Sequence, residues 1–231
     1  MRKLQAVKKN LMKNLISCIC IFALIFSVAV PACAEDARPY VEEVGDIIRL
    51  RNDCSQQDDI DDLMELRVVL AVEDLDLVRR QGPIWTTYES IYIAEMMLYD
   101  DDFAQRYYHT YAYNPFVFMR LAFTVENKGQ KPVTIPQGKD YAWIVTDTGE
   151  IVKSMIGSRS SGEPVPDRLE PGEKATAYLF FYCYDTFAEY LRFFSLYPAK
   201  PVLDDGSRYG VPFGLCFELM ETAFDQAEQA P

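Results

Sequence analysis

Phe116-Val117-Phe118-Met119-Arg120-Leu121-Ala122-Phe123-Thr124-Val125-Glu126 is the run whose reading decides the fold. Val117, Met119, Leu121, Phe123 and Val125 fall on one side of an extended chain, and Arg120, Thr124 and Glu126 on the other. Side chains of a strand alternate with period two, so this pattern predicts a half-buried β-strand. The same reading extends from Phe116 to Tyr197. Three turn signatures interrupt it: Asn127-Lys128-Gly129, Asp147-Thr148-Gly149 and Leu169-Glu170-Pro171-Gly172. Each sets Gly, Asn, Asp or Pro where the backbone must reverse.

Strands are predicted between these turns. Pro132 to Ile135 is short. Tyr141, Trp143 and Val145 share a face of the next, and Glu150 to Ile156 is its hairpin partner. Lys174 to Cys183 carries Ala175, Ala177, Leu179, Phe181 and Cys183 on one side and Tyr178, Phe180 and Tyr182 on the other. Two apolar faces predict a central strand covered on both sides. Many short strands between turn signals indicate an all-β sandwich or barrel. The expected fold is mainly β: an antiparallel sandwich with a helical, aromatic insertion and a C-terminal helix.

Upstream, Val44 to Leu50 reads as an opening strand. Leu66, Val68, Leu70 and Val72 predict another, and Gly82-Pro83 forces a turn. Tyr88 to Tyr111 is rich in helix formers, among them Glu89, Ala94, Glu95, Met96, Met97 and Leu98. Asp100-Asp101-Asp102 suits the cap of a short helix through Arg106. The segment 84–115 is therefore predicted as a helical insertion or lid. Leu215 to Gln226 is predicted as a C-terminal helix.

Residues 1–34 carry a different message. Arg2, Lys3, Lys8, Lys9 and Lys13 form a basic start, Leu15 to Val30 an apolar run, and Ala32-Cys33-Ala34 a small-residue cleavage site. Together they make a secretory signal peptide. The apolar run of 16 residues falls short of the roughly 20 that a spanning helix needs. Val30-Pro31-Ala32-Cys33 also resembles a lipobox, in which Cys33 would be lipidated, although Pro31 suits that pattern poorly. The expected product is exported, periplasmic or secreted, with a lipid anchor as the alternative, and 35–231 forms one domain.

Five of the 23 basic residues and none of the 35 acidic residues lie in 1–34. The remainder holds 18 basic against 35 acidic residues, a net of −17. A field of that sign repels nucleic acid and anionic membranes, so nucleic acid is not an expected partner, and a membrane is one only if Cys33 carries a lipid. Of the cysteines only Cys54, Cys183 and Cys216 lie beyond the signal. Export makes a disulfide between two of them reasonable, and the spacing leaves the pairing open.

The order of the central motifs resembles that of bacterial exported domains of unknown function with a telokin-like, immunoglobulin-like sandwich. The likeness rests on the Asn-Lys-Gly turn, on Trp143-Ile144-Val145-Thr146-Asp147-Thr148-Gly149-Glu150, and on Leu169-Glu170-Pro171-Gly172-Glu173 before an apolar strand. It covers about 116–197 and implies that fold and an extracytoplasmic address. It supplies no catalytic or binding residues. The chain departs from the pattern in lacking a Ser/Thr-rich linker and in carrying the segment 84–115.

Three sets of residues are candidate sites. Tyr92, Tyr99, Tyr107, Tyr108 and Tyr111 lie in one segment and suit a protein or glycan contact, against the competing reading that they pack the insertion onto the core. Asp58, Asp59, Asp61 and Asp62 could ligate calcium but lack the Gly and terminal Glu of an EF-hand, which favours a solvated acidic loop. His109, the one histidine, could join Cys183, Cys54 or an aspartate in an envelope hydrolase or metal-dependent enzyme. No paired motif accompanies it, so the expected role is a non-catalytic binding module with no resident cofactor.

Overall fold

The computed structural model describes residues 47–52, 58–135, 141–158, 166–203, 206–208 and 214–228. Contacts divide the chain into Met1–Ala37 and Arg38–Pro231, and every described residue belongs to the second unit. The predicted signal segment, Cys33 and Cys54 lie outside the described residues.

In chain order the strands are β1 (Ile47–Arg51), β2 (Asp58–Ile60), β3 (Met64–Val72), β4 (Leu77–Gln81), β5 (Ile84–Leu98), β6 (Phe116–Asn127), β7 (Val133–Thr134) and β8 (Ala142–Thr146). They continue as β9 (Ile151–Lys153), β10 (Met155–Ser158), β11 (Arg168–Leu169), β12 (Lys174–Cys183), β13 (Phe193–Pro198), β14 (Val202–Leu203) and β15 (Leu215–Met220). A short helix α1 (Asp101–Phe103) runs into a π-helical turn Ala104–Tyr108, and α2 (Ala223–Glu228) follows the last strand.

A seven-stranded sheet has the order β10-β12-β6-β5-β3-β2, with β4 also paired to β5. A five-stranded sheet has the order β1-β15-β13-β8-β9, and β11-β7-β14 form a small third sheet. Among the described strands pairing is antiparallel except between β1 and β15. The inward residues of the two large sheets meet in one core: Ile93, Val117, Leu121, Phe123, Leu179 and Phe181 from the first, and Leu50, Ile144, Phe194, Leu196 and Phe217 from the second. The alternation read at Val117–Val125 is thus the core face of β6, which pairs with β5 on one side and β12 on the other.

The turn motifs act as read. Glu173 N–H donates to the Glu170 carbonyl at 3.0 Å across Pro171 and Gly172, and Gly172 has φ +84°. That is a type II turn, which needs a residue free to adopt positive φ at its third position. Thr146 and Glu150 close the β8–β9 hairpin over Asp147-Thr148-Gly149. Gly82-Pro83 is the loop between Gln81 and Ile84, which pair directly.

Two assignments are corrected. Ile84–Leu98 is a 15-residue strand, not part of a helical insertion. Its length follows from its neighbours, since β4 pairs with its first half and β3 with its second, while β6 runs along the other side. Only Asp101–Tyr108 is helical in that segment, and there Asp100 caps as expected: its Oδ1 accepts from Phe103 N–H at 2.7 Å. The predicted C-terminal helix is also mostly strand. Leu215, Phe217 and Leu219 are buried and Cys216, Glu218 and Met220 are not, so Leu215–Met220 alternates as β15 between β1 and β13. The helix starts only at Ala223, after Thr222 and Asp225 cap each other through side chain and backbone.

Two of the three cysteines weighed for a disulfide, Cys183 and Cys216, lie among the described residues. Cys183 and Cys216 are both free thiols. Cys183 lies in the core, whereas Cys216 is on the outer face of the five-stranded sheet, where it meets Ser195 Oγ at 3.3 Å. A sheet separates them, so no disulfide can join them without rebuilding the fold.

Titratable groups inside the core make the fold sensitive to alkali. Burial raises the pKa of Tyr88 and Tyr141 above the ordinary 10.0 and that of the Cys183 thiol above 9.0. The unfolded chain releases these protons at ordinary values and the folded chain holds them. The stabilisation is complete below about pH 9 and falls as pH rises through the tyrosine range. Denaturant midpoints measured at rising pH are expected to drop beyond that point. A midpoint unchanged through the tyrosine range would contradict the burial of these groups.

Candidate functional site

The outer face of the seven-stranded sheet carries an unbroken set of aromatic rings. Register places them. Phe180 and Tyr92 flank Arg120 across the sheet, and Tyr182 and Ala94 flank Phe118 in the next row. Directly paired residues of antiparallel strands share a face, so these side chains stand together on the side away from the core. Phe118 stacks with Phe180 at 6.1 Å and 18°, and meets Tyr92 at 6.3 Å and Tyr182 at 5.5 Å. Tyr178 adjoins Phe180 at 5.9 Å. Tyr92, Phe118, Tyr178, Phe180 and Tyr182 are all half-buried.

Edge strand β10 contributes an absence of side chain. A Cβ on Gly157 would come within 2.7 Å of Phe180 Cε2, so the Phe180 ring lies against bare backbone there. This is how an edge glycine and a neighbouring aromatic support each other in a sheet.

At one end the face is roofed by the loop that follows β5. Ala104 is buried with Met96, Leu98 and Phe116, and Phe103, Tyr108, Phe118 and Tyr182 pack around them. The loop is closed by Tyr113 N–H to the Leu98 carbonyl at 2.8 Å and by Ala112 N–H to Asp101 Oδ1 at 2.9 Å. His109 and Tyr113 both adopt left-handed backbone, with φ of 56° and 59°. Tyr184 O–H donates to the Tyr108 carbonyl, which ties the segment after β12 to this loop.

Arg120 stands in the middle of the face and is exposed. Its guanidinium carbon is 5.1 Å from the Tyr92 centroid and 5.3 Å from that of Tyr178, within cation–π range of both. Among the described residues it makes no ion pair. At the far end of the same face Arg80 and Lys128 lie over the Trp85 ring at 4.0 and 3.6 Å. Glu126 takes Lys128 at 3.6 Å and Lys174 at 3.4 Å. Thr124 donates to Glu89.

The five tyrosines singled out from the sequence do not act as one set. Tyr92 is on the aromatic face, and Tyr108 packs on Phe103, Phe116 and Tyr182 beneath the loop. Burial raises the pKa of Tyr108. Tyr99 sits beside Tyr113 and hydrogen-bonds Glu65, which raises its pKa. Tyr107 and Tyr111 are exposed, at 60% and 70%. The rest of the face was legible only in part. Tyr178, Phe180 and Tyr182 showed as a second apolar side of their strand, but no signal tied them to Phe118 and Arg120. That second side is half-buried, with the roof at one end only.

The acidic set divides as well. Asp58 and Asp59 are successive residues of β2, at register positions opposite Arg67 and Leu66, rather than in a loop. Asp61 Oδ1 accepts from the Leu63 and Met64 amides, both at 2.7 Å, and so turns the chain from β2 into β3. Asp62 is exposed beside it. Among the described residues no three His, Cys, Asp or Glu side chains are grouped to hold a metal ion. His109 ends the π-helical turn, its imidazole exposed and without a hydrogen bond among the described residues. The Cys183 thiol is buried in the core, and burial pushes its pKa up, which opposes nucleophile chemistry. Among the described residues no helix is long and apolar enough to cross a membrane.

No family model matches the chain, and no curated protein matches it. Among solved structures it is similar to a crystal structure described as a functionally unknown protein from Listeria monocytogenes EGD-e. The TM-score is 0.51 at 12% identity, over 67% of this chain and 88% of that one. At that identity the likeness concerns the fold alone.

Proposed function

We propose that this chain is a non-catalytic binding module acting outside the cytoplasm, and that its contact surface is the outer face of the seven-stranded sheet. The observation that carries the reading is Arg120 held over Tyr92 and Tyr178 among half-exposed rings. Rigid aromatics and arginine dominate the energetics of protein contacts, because they give large area for little lost freedom. The address rests on the basic, apolar and small-residue pattern of 1–34, with lipidation of Cys33 as the alternative to cleavage. The finer fold, an immunoglobulin-like sandwich, is part of the proposal. The shared core of two sheets and the turn motifs support it.

The test is binding of the full chain to an array of glycans and peptides, with two substitutions compared. Arg120→Glu reverses the exposed charge at the centre of the face. Trp143→Ala alters the outer face of the other sheet, where Trp143 stacks on Tyr197 at 5.6 Å. Binding lost in the first and kept in the second is the expected result. Binding that survives Arg120→Glu, or turnover of any array member by the unaltered chain, would remove the reading.

A further inference from the structure

We propose that the Arg120 face takes a saccharide chain bearing carboxylates. This inference rests on the reading of that face as the contact surface, and names what it contacts.

Charge is the first argument. The chain is strongly acidic, with a net of −12. Where β4, β5, β6 and β12 run side by side its aromatic face is not: there Arg80, Arg120, Lys128 and Lys174 stand against Glu89 and Glu126. Lys128 and Lys174 are each engaged by Glu126, and Arg80 and Lys128 are stacked on Trp85. Among the described residues, Arg120 alone of the four has no carboxylate or indole partner. Its neighbours are ring faces, which hold a guanidinium in place while leaving its N–H donors open to a ligand. A carboxylate is what that planar fork recognises, through two parallel hydrogen bonds.

Shape is the second argument. Phe180 and Tyr92 lie one strand away on either side of Arg120, a spacing of about 4.8 Å per strand. A ligand seated on the rings therefore has its charged rim within reach of the cation. A uronate ring offers an apolar C–H face, a hydroxyl rim and a carboxylate on that rim. The tyrosines match it with apolar faces and polar tips. An amphipathic helix needs a groove for its anchors, and a sheet face provides ring surfaces instead. Single-stranded nucleic acid would stack on the same rings, and its binding in place of polygalacturonate would overturn the assignment.

The experiment is titration of the full chain with polygalacturonate, its fully methyl-esterified form and poly-L-glutamate, by calorimetry. Polygalacturonate is expected to bind and the neutral ester not to. Arg120→Gln is expected to weaken the binding about tenfold or more, the size of one lost charge-assisted contact, and Arg120→Lys to recover part of it. Both variants should melt with the unaltered chain, because the side chain is exposed. Equal binding of the ester, undiminished binding by Arg120→Gln, or no binding of polygalacturonate would overturn the assignment. Arg120-dependent binding of poly-L-glutamate alone would also overturn it, in favour of an acidic protein partner, and leave the face standing as the contact surface. Polymer binding indifferent to both Arg120→Gln and Tyr178→Ala would remove the face too.

Discussion

Replacing Asn127 with alanine is expected to lower the melting temperature by about 10 °C, following from a loss of about 3–4 kcal/mol in a domain of this size. Asn127 is completely buried. Its amide donates to the carbonyls of Lys131 at 2.9 Å and Leu169 at 3.0 Å, and its Oδ1 accepts from Gly129 N–H at 2.9 Å. Its own carbonyl accepts from Gly172 N–H at 2.7 Å. One side chain thus holds the turn after β6 and ties it to β11, beside the turn that leads into β12. Alanine would leave the Leu169 carbonyl buried without its donor, the costly kind of hydrogen-bond loss. Gln130→Ala, exposed in the same turn, should stay within about 0.5 kcal/mol of the unaltered chain. Thermal denaturation of both variants checks this. An Asn127→Ala protein within about 1 kcal/mol of the original would show that the bonds are not what fixes the junction.

The second large effect is at Ile93. Ile93→Ala is expected to cost about 3–4 kcal/mol, as for a fully buried aliphatic truncated in a close-packed core. Tyr92→Ala, one residue away with its ring on the outer face, should cost only about 1 kcal/mol, the worth of its ring contacts. This contrast between adjacent residues is a signature of period two. Denaturant titration of both variants reads it. Similar losses at 92 and 93, with the greatest at three- and four-residue intervals, would restore the helix.

The misreading of this strand has a definite cause. Glu89, Ala94, Glu95, Met96, Met97 and Leu98 favour helix locally, and local preference is weak against pairing along both sides. The alternation is also broken by an extra residue. The register slips between Tyr88 and Ser90, so Ile84 and Tyr88 face the core before the bulge and Ile91 and Ile93 after it. A bulge reverses the phase of the pattern, which hides it from any window that spans it. The C-terminal strand is different: its alternation at Leu215, Phe217 and Leu219 is uninterrupted. What the local pattern lacked was its two partners, β1 from the start of the domain and β13.

The candidate site was legible in fragments for a related reason. Tyr178, Phe180 and Tyr182 announce an apolar outer side in a single strand, and Arg120 a charged one in another. Their meeting depends on the registers Phe180–Arg120 and Arg120–Tyr92. Register depends on where hairpins close and where bulges fall along three strands that are distant in sequence.

Composition, alternation and turn chemistry in the chain itself were enough to establish a mainly β protein, the core face of β6, and the reversals at Asn127-Lys128-Gly129, Asp147-Thr148-Gly149 and Pro171-Gly172. These depend on neighbours a few residues away, which any reader of the chain can see. Tertiary structure alone decided that 84–98 is a strand, that Cys183 and Cys216 lie on opposite sides of a sheet, and that one arginine stands among rings drawn from β5, β6 and β12. Those outcomes depend on which distant strands pair and in what register, a choice made by the burial of the whole core rather than by any local preference.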